Sequence, residues 1–177
     1  TGSSSHTAFA VDKISASATA GAAGSGAALG DGVATAGDDG VAGEEAKAYG
    51  VYAAGGAVID LSAKNSGPIK INAKAADGTV TNEAYAVYAD KGTVLFGSDA
   101  ELNWDGSSGT DNTLVTGLNN GTLGFSGTSA DRTVTGGKLQ LTGSNAFRFT
   151  TDLANNKADS MTFDTIENNS SKQYIQI

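Results

Sequence analysis

Apolar residues in this chain come in short bursts that alternate with polar ones. Over Pro68–Ala75, Ile69, Ile71 and Ala73 alternate with Lys70, Asn72 and Lys74. Further on, Val134, Leu139, Leu141, Phe147 and Phe149 hold alternating positions, broken at Gly136-Gly137 and at Gly143-Ser144-Asn145. A period of two sends successive side chains to opposite faces of a strand, whereas a helix needs apolar residues three and four apart. Nearly every burst ends in Gly, Asn, Asp or Ser, the residues that turn a chain. The pattern therefore predicts an all-β protein of many short strands.

One phrase recurs. "AYGVYAAGGAVI", Ala48–Ile59, and "AYAVYADKGTVL", Ala84–Leu95, agree at seven of twelve positions, 36 residues apart. A fainter "AFAV", Ala8–Val11, places Phe9 40 residues before Tyr49. The residues Phe9, Tyr49, Val51, Tyr85 and Val87 thus define a structural repeat. Simple alternation puts Tyr49, Val51 and Ala53 on one face, with Gly50 and Tyr52 on the other. Turns are expected at Gly55-Gly56, at Lys91-Gly92 and at the Asn119-Asn120-Gly121 run. Because a further strand lies between the two copies, the 36 residues divide naturally into two coils of about 18 residues, near the lower end of repeat units that must stack to bury an apolar face. About nine such coils at the inter-strand spacing make a rod of about 40 Å. The expected fold is a right-handed parallel β-helix, a solenoid, with a β-rich C-terminal cap.

The domain division follows from departures in the pattern. Residues 1–131 read as β-helix coils, with a loop at 16–46 that is rich in Ala, Gly and Ser and carries five acidic residues but no basic one until Lys47. A thin coil of small side chains is the other reading of that segment. Residues 132–177 read as C-terminal coils with larger apolar residues, among them Leu153, Tyr174, Ile175 and Ile177, and so with heavier packing. The chain stops on the strand-like "IQI", so truncation is expected there, and if the protein is exported the chain is a processed or excised fragment.

Composition narrows the function classes. The net charge of −8 offers no basic stripe of the kind that displaces counterions from nucleic acid. An acidic surface keeps a repetitive β protein soluble. No cysteine is present, which excludes disulfides and thiolate metal sites and suits passage through an oxidising compartment. No apolar run is long enough to span a membrane as a helix. The single histidine, His6, has no nucleophile elbow to serve, and the glycine-rich "GAAGSGAALGDG" lacks the Lys-Ser/Thr ending of a phosphate loop. No catalytic residue, cofactor or metal site is nominated. The strongest local cluster is "DAELNWDGSSGTDN", in which Asp99, Glu101, Asp105 and Asp111 surround Trp104. An indole beside carboxylates suits contact with a sugar or a protein. The same oxygens are hard calcium ligands, without the EF-hand spacing, and a carboxylate pair is what a glycosidase requires.

The closing segment "TVTGGKLQLTGSNAFRFTTDLANNKADSMTFD" resembles the end of pertactin-like passenger domains of bacterial autotransporters, and the repeated phrase resembles their coils. The family pattern x-T-D-L-A-x-x-x-A-D-x-[LM]-x-[FIV] is matched by Thr151, Asp152, Leu153, Ala154, Ala158, Asp159, Met161 and Phe163. The resemblance implies a right-handed parallel β-helix on, or released from, the surface of a Gram-negative cell, with residues 132–177 acting as the autochaperone. It departs from the family at the end, where further strands, a linker and an outer-membrane barrel usually follow.

The expected function is a non-enzymatic adhesin or interaction passenger. Its partner is a host-cell or bacterial surface protein or glycan, with self-association open, and neither nucleic acid nor membrane insertion is expected. A structural stem with a folding-nucleating cap, or a β-helix carbohydrate-active enzyme, are the alternatives. The discriminating observation for the enzyme is turnover lost on mutation of the four carboxylates.

Overall fold

The structure is a computed structural model that describes residues 6–21, 43, 45–76, 81–102 and 115–177. It is all-β: no helix occurs among the described residues. Its strands are β1 (His6–Ala10), β2 (Lys13–Thr19), β3 (Glu45–Ala54), β4 (Val58–Ser62), β5 (Ile69–Ala76), β6 (Thr81–Asp90) and β7 (Thr93–Phe96). They continue with β8 (Ala100–Leu102), β9 (Val115–Asn119), β10 (Thr122–Phe125), β11 (Thr133–Arg148), β12 (Thr151–Asp152), β13 (Lys157–Ala158) and β14 (Ser160–Gln176).

Twelve of these strands form one curled parallel sheet, and its pairings resolve into three ladders. The first runs β1, β4, β7, β10 and then the ends of β11 and β14. The second runs β2, β5, β8 and the starts of β11 and β14. The third runs β3, β6, β9 and the middles of β11 and β14. The chain visits the ladders in the order one, two, three throughout. Tyr49 pairs directly with Tyr85. The 36-residue repeat is therefore one full circuit, not two coils of 18. Six rungs at the strand spacing extend only about 24 Å. The shorter estimate failed because it divided between two coils the three strands that the pairings place in one circuit.

Inward side chains of all three ladders meet in one core. Val51, Val87, Leu118 and Leu139 come from the third ladder, Leu61, Phe96, Leu123 and Phe125 from the first, and Ile69, Ile71, Leu102 and Val134 from the second. The alternation read in "PIKINAKA" holds: Ile69, Ile71 and Ala73 are buried while Lys74 is exposed. The predicted turns also hold, with Gly55, Gly56, Lys91 and Asn120 all at positive φ. They stack as one corner, tied by Gly55 N–H to the Asp90 carbonyl at 3.0 Å, Lys91 N–H to that of Asn119 at 2.9 Å and Asn120 N–H to that of Thr142 at 3.0 Å.

Three expectations are corrected. The 16–46 segment is not loop at its ends, since Ala16–Thr19 belong to β2 and Glu45–Ala46 to β3; most of the positions between lie outside the described residues. Where its described ends meet β5 and β6, Ala20, Ala46, Ala48, Ala73, Ala75 and Ala84 form a second core of buried alanines. Methyl-sized side chains let β2 and β5 lie close against β3 and β6. Phe9 does not share the tyrosine column; it stands on the first ladder against Leu61, in line with Phe96 and Phe125. The C-terminal packing is only partly as expected: Phe147, Phe149, Met161 and Phe163 pack against the core, but Leu153, Ile166, Tyr174, Ile175 and Ile177 are exposed. Leu153 lies at a hairpin tip, and the others lie on or just past β14, which among the described strands of the sheet pairs with β11 alone.

One buried position is poorly matched to its column. Thr116 sits between Val87 and Leu139, fully buried, and its hydroxyl finds no partner among the described residues. An unpaired buried hydroxyl costs about 1–3 kcal/mol, and valine has nearly the same shape. Thr116→Val is therefore expected to stabilise the fold by about 1 kcal/mol, read as a higher urea midpoint with an unchanged slope.

Candidate functional site

The repeated phrase builds an array of four tyrosines on the outer face of the third ladder. Strict alternation fails inside each copy. Ala46 and Ala48 are buried, yet so are Val51 and Ala53, and in the second copy Ala86 and Val87 are both buried. The strand changes phase at this bend, marked by a register shift between Tyr85 and Val87 against β9. Gly50 is required at the bend, because a Cβ there would meet the Ala86 carbonyl oxygen at 2.7 Å and Ile71 at 2.8 Å. The consequence is that Tyr49 and Tyr52 both face outward, contrary to the expectation that they lie on opposite faces. Tyr85 and Tyr88 repeat the arrangement one rung on.

The rings form two parallel stacks. Tyr49 lies on Tyr85 with centroids 5.4 Å apart and planes within 6°, and Tyr52 lies on Tyr88 at 5.8 Å and 21°. The stacks meet edge-on, with Tyr85 and Tyr88 at 4.8 Å and 62°. Such contacts contribute about 0.5–1.5 kcal/mol each beyond area burial. Gly117 makes room for the second rung, since a Cβ at Gly117 would meet Tyr88 at 2.5 Å and Tyr85 at 3.0 Å. The Tyr85 hydroxyl reaches over it to the Gln140 side-chain oxygen at 3.4 Å. The outer rung stays open, with Tyr52 50% and Tyr49 36% exposed.

The rim is charged. Lys47 bridges Glu45 at 3.2 Å and Glu83 at 3.8 Å beside Tyr49, and Lys138 pairs with Glu167 at 2.5 Å further along the ladder. Burial and then the Glu83 carboxylate push the Tyr85 phenol up to about 12. Burial raises Tyr49 and Tyr88 in the same direction, helped by Glu83 and by Asp90 respectively. Tyr49, Tyr85 and Tyr88 therefore present neutral hydroxyls. A group raised in the folded state stabilises fully below its unfolded value and loses that contribution as pH climbs through the folded one. Ultraviolet titration should show one tyrosine ionising about two units late, with stability falling between about pH 10 and pH 12; Tyr85→Phe should remove the late phase and reduce the loss of stability, the remainder belonging to Tyr49 and Tyr88.

The acidic cluster read from sequence is only partly in view. Trp104, Asp105 and Asp111 lie outside the described residues. Asp99 and Glu101 are neighbours in sequence, but each has structural work. The Asp99 carboxylate accepts the Thr133 N–H at 2.8 Å, bracing the next rung, and Glu101 pairs with Lys70 at 3.6 Å on the rung before it. Among the described residues no group of three His, Asp or Glu side chains is placed to hold a metal ion.

The C-terminal motif resolves into a hairpin and a buried ion pair. Thr151 and Asp152 pair antiparallel with Ala158 and Lys157, leaving Leu153 at the tip, 89% exposed. Asp152 holds the turn by accepting the Asn155 side-chain N–H at 2.7 Å and its backbone N–H at 3.2 Å, and these bonds lower its pKa. Asp159 is buried and takes the Arg132 guanidinium in a fork, Nε at 3.0 Å and Nη2 at 2.9 Å. Met161 and Phe163 follow on β14 with their side chains packed against the core. Sequence reading matched the motif but missed Arg132 as its partner. The tyrosine array was half legible: the repetition was plain, but its outward direction depended on a bend that alternation hides. Comparison with protein-family models, with curated proteins and with solved structures finds no match to this chain.

Proposed function

We propose that this chain is a non-enzymatic interaction module of the autotransporter-passenger type, exposed on or released from a bacterial surface. In this reading the curled sheet is a right-handed parallel β-helix, and it carries binding side chains on its outer face. The tyrosine array carries the proposal. Four large rings held in register by a parallel ladder are rigid before any partner arrives, and tyrosine offers wide amphipathic contact at low entropic cost. A solvated strand has no structural need for rings that stay half exposed.

The test is binding of the fluorescently labelled chain to epithelial cells and to immobilised glycans over a concentration series. Saturable binding that a Tyr49→Ser/Tyr52→Ser variant loses, while the variant still unfolds in one cooperative transition at a midpoint lowered only by the lost ring contacts, is the expected result. Binding that the variant keeps in full would move the contact surface elsewhere, and absence of binding at micromolar concentration would reject the proposal. Absence of binding would favour a second reading, a stem and folding cap. That reading draws on the buried Arg132–Asp159 pair, which ties successive rungs together inside the segment that resembles an autochaperone.

A further inference from the structure

The tyrosine array has a chemical selectivity that narrows its partner. Each inner ring has one face covered by an outer one, Tyr85 by Tyr49 and Tyr88 by Tyr52. The opposite faces of Tyr49 and Tyr52 meet no ring among the described residues. They stand 5.3 Å apart and tilted by 42°, forming a shallow notch. Carboxylates border it. Glu83 stands across from Lys47, two positions before the paired Tyr49 and Tyr85, and meets it at 3.8 Å, while Glu45 meets the same lysine at 3.2 Å. Along the outer face of this ladder the described charged groups named above are Glu45, Glu83, Asp90 and Glu167 against Lys47 and Lys138, and the chain as a whole carries −8. Ring faces attract cations through their quadrupole, and a planar guanidinium both stacks on a ring and forks onto a carboxylate, which an ammonium does not.

We propose that the notch of Tyr49 and Tyr52 binds an arginine side chain on an exposed segment of a partner protein, with Glu83 and Glu45 taking its guanidinium edge. The proposal rests on the reading of this chain as an interaction module and supplies its partner class. Lys47, exposed on the surface, is the group the arginine displaces from Glu83, so it opposes binding as an internal competitor.

The experiment is fluorescence anisotropy with labelled peptides of alternating arginine and glycine, of lysine and glycine, and of glutamate and glycine, with neutral oligosaccharides as competitors. The arginine peptide should bind more tightly than the lysine peptide, and the glutamate peptide should not bind. Tyr49→Ala/Tyr52→Ala should weaken it on the order of tenfold, while Tyr49→Phe/Tyr52→Phe keeps the affinity because the rings remain. Lys47→Gln should strengthen it. Equal binding by the alanine variant would mean diffuse charge attraction and overturn the proposal. Loss in the phenylalanine variant, or displacement by oligosaccharide, would overturn it in favour of hydroxyl-mediated sugar contact. If the chain binds cells through its tyrosines but the arginine peptide does not compete, this proposal falls and the module reading stands; if cell binding itself is absent, both fall.

Discussion

Replacing Asp159 by alanine should cost about 3–5 kcal/mol of folding free energy, measured by urea denaturation at neutral pH. The carboxylate is fully buried and accepts four hydrogen bonds: Arg132 Nε at 3.0 Å, Arg132 Nη2 at 2.9 Å, the Arg132 N–H at 3.0 Å and the Thr150 N–H at 2.8 Å. Its partner reaches further. Arg132 Nη1 donates to the carbonyls of Phe96, at 3.2 Å, and Ser126, while Nη2 also donates to the Thr150 hydroxyl at 3.1 Å. One ion pair thus joins the ends of β7 and β10 to the chain on either side of the hairpin. Removing the carboxylate leaves a buried cation unpaired and two backbone donors orphaned, which is why the loss exceeds that of a surface pair. The double variant Arg132→Ala/Asp159→Ala should lose less than the sum of the single losses, because each single change strands the other group.

The same pair sets an acid limit. Burial alone would raise the Asp159 carboxyl, but the bonds from Arg132 and from the Thr150 backbone outweigh it and hold the group below its ordinary value. A carboxyl depressed in the folded state stabilises above its unfolded pKa of about 3.9 and loses that contribution as pH falls through the folded one. The wild-type chain should therefore lose stability below about pH 4, and Asp159→Asn should be flatter through that window. An equal acid slope in both proteins would assign the loss to other carboxylates.

Phe125→Ala should be similarly costly, at about 3–5 kcal/mol. Its ring is fully buried in the column that runs Phe9, Leu61, Phe96, Phe125 down the first ladder. Phe149 lies 6.2 Å away across the ring, and the Arg132 guanidinium sits 4.9 Å from its centroid. The cavity cannot close by collapse, because strands on both sides hold the ladder spacing. A double-mutant cycle with Arg132 should show coupling of about 1 kcal/mol, the size expected when a cation over a ring is desolvated. Additive losses would show that the guanidinium's position over the ring contributes nothing beyond filling space.

Much of this architecture was legible before any coordinates. The bursts of alternating Ile, Val and Leu, the glycine and asparagine turns, and the duplicate phrase with its 36-residue offset are local signals, and local signals report strands, corners and a stacking repeat.

What alternation could not report was anything that depended on the third dimension. The number of strands per circuit is a closure property, and so 36 residues read as two turns were one. The outward direction of Tyr52 followed from a bend at Gly50 that only the opposing Ala86 carbonyl and Ile71 explain. Phe9 resembled the tyrosines in its local words but belonged to another ladder, where Leu61 rather than Tyr49 is its neighbour. Arg132 and Asp159, 27 positions apart, met because one circuit brings consecutive rungs into contact. The amino-acid sequence by itself determined that this is an all-β chain of repeated strands and turns, since those follow from the φ preferences of Gly and Asn and from period-two burial. Only the tertiary structure decided which repeats face each other, which rings reach solvent and which charges are buried, because those depend on how many residues the chain spends before it returns to the same ladder.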